Sequence, residues 1–104
     1  MSNMPLRTLF EHYLGRGAKL VELSALEPAG ELKRPSFSAV LELPPDFSVT
    51  PDQRGFENSA ASAVDISIQL RNGTYIIAVV ARQNPQVVVE AYDFLQSSFQ
   101  TPNS

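Results

Sequence analysis

The sequence predicts an α+β fold, in which a four-stranded, mostly antiparallel sheet of two hairpins carries an N-terminal and a C-terminal helix on one face. Three observations lead to this prediction: a helical apolar stripe near each end, alternating apolar and polar residues in two central stretches, and an Asn72-Gly73 turn inside one of them. The length of 104 residues, with 43% apolar and 18% charged residues, is typical of a single globular domain spanning 1–104.

The first element is predicted to be a helix over about residues 5–15. Apolar residues recur there at positions i, i+3, i+4, i+7 and i+8, which places them on one face. Pro5 suits a first helical position, because its missing N–H is not needed there. Gly15 and Gly17 favour the end of the helix. The apolar face consists of Leu6, Leu9, Phe10, Tyr13 and Leu14.

Residues 18–26 fit a short helix about as well as a partly buried strand. We favour a strand, because a turn over residues 27–30 follows and leads into an alternating run over residues 36–43. In that run every second residue is apolar, which indicates a sheet with one packed face. Pro44-Pro45 ends the run, since proline cannot donate to the hydrogen-bond ladder.

The second predicted hairpin turns at Asn72-Gly73, two residue types that tolerate the positive φ of a two-residue turn. The turn sets a register in which four cross-strand pairs are apolar and share one face. The returning strand is apolar on both faces, so it is predicted to be the more interior of the two. The four pairs are Leu70 with Tyr75, Ile68 with Ile77, Ile66 with Val79, and Val64 with Ala81, and the other face of the returning strand carries Ile76, Ala78 and Val80.

A C-terminal helix is predicted over residues 85–99. Asn84 and Pro85 provide a capping residue and a proline at the first helical position, and they outweigh the strand preference of the valines at 87–89. The polar tail, residues 100–104, is predicted to be frayed. In the predicted core, both terminal helices pack against the second hairpin. The core residues are Leu6, Phe10 and Tyr13 of the first helix, Val88, Tyr92, Leu95 and Phe99 of the last helix, and Ile66, Ile68, Ile77 and Val79 of the hairpin.

The segment 44–63 is predicted to be a long loop that contains a short helix over about residues 57–63. Long connections inside small domains are often functional. Phe47 and Phe56 are aromatic residues in this polar segment, and aromatic side chains supply much of the binding energy at interfaces. We therefore predict that a partner is bound by Phe47, Phe56 and Arg54, together with the basic pair Lys33-Arg34.

Charge and cysteine content exclude several classes of function. The net charge is −3, the basic residues are scattered, and binding to nucleic acid is therefore disfavoured. The chain has no cysteine, which excludes disulfides, a thiol nucleophile and a zinc-thiolate site. No signal-peptide pattern and no apolar run of about 20 residues occur, so we expect a cytoplasmic protein without a membrane span.

Residues that could carry chemistry do not form a recognisable motif. His12 is the only histidine, and the serines and glycines match neither a nucleophile elbow nor a phosphate-binding loop. The acidic residues lack the spacing of a calcium loop. We therefore predict no catalytic residue, no metal site and no cofactor.

These observations rank three hypotheses of function. The first is a non-enzymatic protein-binding domain, an adaptor, assembly factor or chaperone-like protein, that forms a homodimer. The half-apolar sheet face of Ile76, Ala78 and Val80 is predicted to be a surface for self-association or for a partner. The predicted layout is loosely similar to that of small secretion chaperones, although no motif carries the likeness. The second is a small enzyme or ligand-binding domain with a site at 44–63, using Asp46, Asp52, Arg54 or Glu57. The third is a nucleic-acid-associated regulator that uses Lys33, Arg34 and Arg54.

Overall fold

The computed structural model describes residues 6–62 and 64–99, which form three helices and a five-stranded antiparallel sheet. The elements are α1 (Leu6–Gly15), β1 (Lys19–Leu23), β2 (Glu27–Ala29), β3 (Arg34–Glu42), α2 (Pro51–Ala61), β4 (Val64–Arg71), β5 (Thr74–Ala81) and α3 (Pro85–Phe99). The strand order is β1-β3-β5-β4, and β2 also pairs with β3. The predicted α+β class is confirmed, with α1 and α3 packed on the sheet.

The first hairpin forms as predicted, with one additional strand. The ambiguous segment 18–26 contains the strand β1, which pairs antiparallel with β3. The predicted turn over 27–30 is wrong in part, because Glu27–Ala29 is the short strand β2, so the sheet has five strands and not four. Pro28 is tolerated in β2 because the strand lies at the sheet edge, where a missing N–H need not break the ladder.

The second hairpin has the predicted register. All four apolar pairs are observed, from Val64 opposite Ala81 to Leu70 opposite Tyr75. Asn72 and Gly73 have φ angles of 51° and 77°, as the two-residue turn requires. The strand β5 lies between β3 and β4, which confirms that it is the more interior strand.

In segment 44–63, the predicted bounds of the helix are wrong. Instead of a short helix over 57–63, an eleven-residue helix, α2, begins at Pro51, and residue 63 lies outside the described part. The hydroxyl of Thr50 accepts a hydrogen bond from the backbone N–H of Gln53 at 3.1 Å, which caps the helix. Pro51 and Gly55 are compatible with this helix, because proline is favourable at a first helical position and an interior glycine costs only about 1 kcal/mol.

The C-terminal helix α3 begins at Pro85, as predicted. The backbone N–H of Gln86 donates to the side-chain oxygen of Asn84 at 3.0 Å, so Asn84 acts as the cap. The valine run remains helical because Val88 is completely buried, and packing then outweighs a weak strand propensity. Residues 100–104, which were predicted to be frayed, and Pro5 lie outside the described residues.

The core lies between one face of the sheet and the helices. Ile77 and Val79 are completely buried there, as predicted, but Ile66 and Ile68 are only half-buried. The reason is that β4 is an edge strand, whose side chains have a neighbouring strand on one side only. None of the described helices is long and apolar enough to cross a membrane. The buried core also includes Leu6, Leu9, Phe10 and Tyr13 of α1, Phe37, Ala39 and Leu41 of β3, and Val88, Ala91 and Leu95 of α3.

Candidate functional site

A network of polar side chains joins α1, α2 and β5. Gln53 is completely buried at its centre, and its Oε1 accepts hydrogen bonds from His12 Nε2 at 2.8 Å and from the Arg16 guanidinium at 3.1 Å. The amide nitrogen of Gln53 donates to Glu57 Oε2 at 2.9 Å. Because an amide oxygen only accepts, His12 carries a proton on Nε2 in this arrangement.

Glu57 receives two further hydrogen bonds, both from tyrosines. Its Oε2 accepts from Tyr13 OH at 3.0 Å and from Tyr75 OH at 3.4 Å. Burial, with the Glu57 carboxylate beside the hydroxyl, raises the pKa of Tyr13 well above its ordinary value of 10. The same two causes raise the pKa of Tyr75 to about 12. Both tyrosines therefore stay neutral and act as hydrogen-bond donors at physiological pH.

Phe47 and Phe56, which the sequence analysis predicts to bind a partner, both pack against α1 and are half-buried. The Phe56 ring stacks on His12 with 4.3 Å between ring centroids. The Arg16 guanidinium lies 4.3 Å from the centroid of the Phe47 ring, a cation–π geometry. Each phenylalanine thus already has an intramolecular contact, which leaves only part of its ring available to a partner.

The buried polar atoms of the network are hydrogen-bonded within the fold. No buried side-chain nitrogen or oxygen in the described residues lacks a hydrogen-bond partner. Gln53 is 41 and 37 positions away from His12 and Arg16, so these bonds tie α2 to α1 across the fold. The role that this arrangement fits best is to hold α2 against α1 and β5.

A groove of about 520 Å³ opens beside this network, between the segment after β3 and the β4–β5 turn. Leu70 and Val49 are 57% and 36% exposed there, so the groove has an apolar mouth. None of the four residues predicted for an enzymatic site at 44–63 lines this groove. It is lined by Leu43, Pro44, Pro45, Phe47, Ser48, Val49, Leu70, Asn72, Gly73 and Tyr75, and the four absent residues are Asp46, Asp52, Arg54 and Glu57.

The predicted basic residues are not brought together. Lys33, with a φ of 55°, lies in the turn between β2 and β3, and Arg34 lines a shallow recess next to it. Arg54 is exposed on α2, which packs beside β4 at the other side of the sheet. The third hypothesis required one basic patch from these three residues. Within the described chain, no three histidine, aspartate or glutamate side chains are grouped so that they could hold a metal ion.

The sheet face opposite the core, here called the open face, has no described helix packed on it. The central strands β3 and β5 place an apolar strip there, in which Val40 pairs with Ile76 and Val80 lies farther along β5. These three side chains are half-buried. Polar residues border the strip, with Ser36 on β3 opposite Val80 and Ser67 on the edge strand β4 opposite Ala78.

Sequence reasoning missed Gln53 and the role of Glu57 as a shared acceptor. The available signal was the spacing of Gln53, Glu57 and Ala60 on one side of a helix, which predicts a face turned inward once α2 is recognised. Their partners on α1 and β5 could not be read from that spacing. Comparison of the chain with protein-family models, with curated proteins and with solved structures finds no match.

Proposed function

We propose that this chain is a non-enzymatic protein-binding domain, acting as an adaptor, assembly factor or chaperone-like protein, that self-associates and binds a protein partner on its open face. The observation that carries the proposal is the apolar strip of Val40, Ile76 and Val80 on a sheet face on which no helix of the described residues packs. An antiparallel sheet with one solvated face normally alternates core-facing apolar with outward polar residues. Here β5 departs from that alternation at Ile76, Ala78 and Val80, and β3 departs from it at Val40.

The surroundings of the strip suit a polypeptide partner. Small residues, Ser38 and Ala78, lie in the middle of the strip and keep it flat. Leu32 and Val21, near its margin, are 70% and 43% exposed. An apolar centre with a polar rim is the usual composition of protein interfaces.

The polar network has a structural role that is compatible with a binding function. Gln53 and Glu57 each make three hydrogen bonds within the fold, and these bonds hold α2 against α1 and β5. The binding roles predicted for Phe47, Phe56, Arg54, Lys33 and Arg34 remain predictions, as does a cytoplasmic location.

The test compares two lysine substitutions on the open face. Ile76→Lys places a charge in the apolar strip, whereas Gln69→Lys places the same charge directly across from it, on β4 and outside the strip. Proteins captured from the native host by the wild type and by Gln69→Lys should be lost with Ile76→Lys, and binding should then be reproduced with the purified partner. Equal capture by all three proteins, each verified as folded by circular dichroism, contradicts the proposal.

A second candidate function is the binding of an apolar small molecule in the 520 Å³ groove. Its volume lies within the range of about 300–1,000 Å³ that is usual for ligand pockets. A hydrophobic dye should bind the wild type and fail to bind Leu70→Glu, which places a charge at the mouth of the groove. Dye binding unchanged by this substitution removes the candidate.

A further inference from the structure

The two edges of the sheet differ in how well they are protected against pairing with another strand. On the β1–β2 edge, the register shifts between Leu20 and Glu22, the strand is interrupted at 24–26, and Pro28 follows. Such irregularities are the usual means of blocking an edge. The opposite edge, β4, runs for eight residues in continuous register with β5, without a bulge or a proline.

The outer side of β4 carries unpaired backbone groups. In a two-residue hairpin, the residues next to the turn, Arg71 and Thr74, form a hydrogen-bonded pair, and every second residue of β4 then bonds to β5. The N–H and C=O groups of Ile66, Ile68 and Leu70 therefore point away from β5. In the part of the chain that the structure describes, no hydrogen bond reaches these groups.

We propose that β4 pairs antiparallel with β4 of a second copy of this chain, about a two-fold axis at Ile68. In this register Asp65 lies opposite Arg71 of the second copy, and Ile66 lies opposite Leu70. The two five-stranded sheets then become one continuous sheet. The proposal rests on the self-association in the proposed function and names its interface.

The register follows from the sequence of β4. Registers centred on Ser67 or Gln69 also let the outward backbone groups bond, but they place Asp65 opposite Gln69 or Gly73. Only the register centred on Ile68 places Asp65 opposite Arg71 twice, once on each side of the axis. Opposite charges directly across an antiparallel pair are stabilising, and like charges are destabilising.

Apolar side chains favour the same pairing. Leu70 is 57% exposed and Ile66 and Ile68 are half-buried, all on the core side of β4. Pairing buries these side chains against their counterparts and forms six backbone hydrogen bonds in this register. One strand pair is nevertheless a small interface, so we expect a dissociation constant on the order of micromolar.

The experiment uses two single charge reversals and their mixture. Wild type should show a concentration-dependent mass that approaches twice 11.4 kDa in light scattering after size exclusion. Asp65→Arg and Arg71→Asp each place like charges opposite one another, and each should weaken the dimer by at least about tenfold. An equimolar mixture should restore the dimer, because every pair is then complementary. Ser67→Arg, which adds a charge opposite a neutral glutamine, is the control.

The outcomes separate this inference from the proposed function. A dimer that neither reversal weakens shows that self-association uses another surface, which overturns the β4 interface and leaves the proposed function standing. A wild type that stays monomeric to several hundred micromolar overturns both the interface and the self-association. Loss of the dimer in both reversals without recovery in the mixture also contradicts the register.

Covalent trapping provides a second measurement. The native chain has no cysteine, so a single introduced thiol reports its own neighbours. Ile68→Cys, at the proposed two-fold axis, should form a disulfide dimer under mild oxidation, since Cα atoms of a hydrogen-bonded pair lie about 5.5 Å apart. Val21→Cys, on the protected edge, is the matched control. Equal cross-linking of both variants contradicts the proposal.

Discussion

Replacement of Gln53 by leucine tests whether the polar network holds α2 in place. The substitution preserves most of the side-chain volume but removes hydrogen bonds to His12, Arg16 and Glu57. A hydrogen bond to a neutral group contributes about 1 kcal/mol, and one to a charged group about 1.5–3 kcal/mol. The three partners are half-buried, so water restores part of the loss. We therefore expect the free energy of unfolding to fall by about 3 kcal/mol.

Urea unfolding followed by circular dichroism measures this loss, which corresponds to a fall in Tm of roughly 12 °C or more for a domain of this size. Asn58→Leu is the matched control, because Asn58 is exposed on the same helix and should change stability by less than about 0.5 kcal/mol. If both leucine variants were equally stable, the network would not be what anchors α2, and the interpretation of Gln53 as a docking residue would be wrong.

Two further predictions concern the tyrosines and the hairpin. The folded-state pKa values of Tyr13 and Tyr75 are raised above the unfolded value of 10, so their contribution is complete below pH 10 and is lost as pH rises toward the folded values, about 12 for Tyr75. Unfolding free energies should therefore fall by about 1 kcal/mol per tyrosine between pH 10 and 11, and Tyr75→Phe should remove about half of this pH dependence. Gly73→Ala should lower the free energy of unfolding by about 1 kcal/mol, because alanine is strained at a φ of 77°, whereas Asn72→Gly should be nearly neutral.

The second hairpin was predictable because its signals are local and agree. The turn at Asn72-Gly73 fixes which residues face one another, and the alternation from Val64 to Leu70 independently selects the same register. The helices α1 and α3 were predictable for the same reason, since apolar spacing and end signals coincide at Gly15 and at Asn84.

The half-burial of Ile66 and Ile68 was not predictable from the hairpin alone. Their exposure depends on which strand of the hairpin pairs with β3, and that choice is made by contacts between segments distant in sequence. The apolar second face of β5 indicated the correct choice. It did not reveal that β4 would be left at an edge.

The main local error of the prediction concerned α2, and because of this error the polar network was not predicted. Small and polar residues dominate α2, so its apolar period is weak, and its capping signals at Thr50 and Pro51 lie in the part of segment 44–63 that is predicted to be a loop. Even a correct helix would not have identified the partners of Gln53, which lie 37 and 41 positions away on α1. The hydrogen-bond partners of a buried polar residue depend on which segments the fold brings together, and the sequence alone does not show this.

The proposed dimer and the proposed partner surface are compatible because the dimer uses the β4 edge of the sheet and the partner uses its open face. Strand addition at β4 extends the sheet in its own plane, so it covers neither face. Two open faces then lie side by side and present two strips of Val40, Ile76 and Val80 to one partner. A charge at Ile76 should therefore abolish partner binding without changing the mass of the dimer in light scattering. A charge reversal at Asp65 should instead dissociate the dimer, so that the two strips separate and partner binding weakens through lost avidity. A partner that bound the isolated monomer as tightly as the dimer would show that only one strip is used.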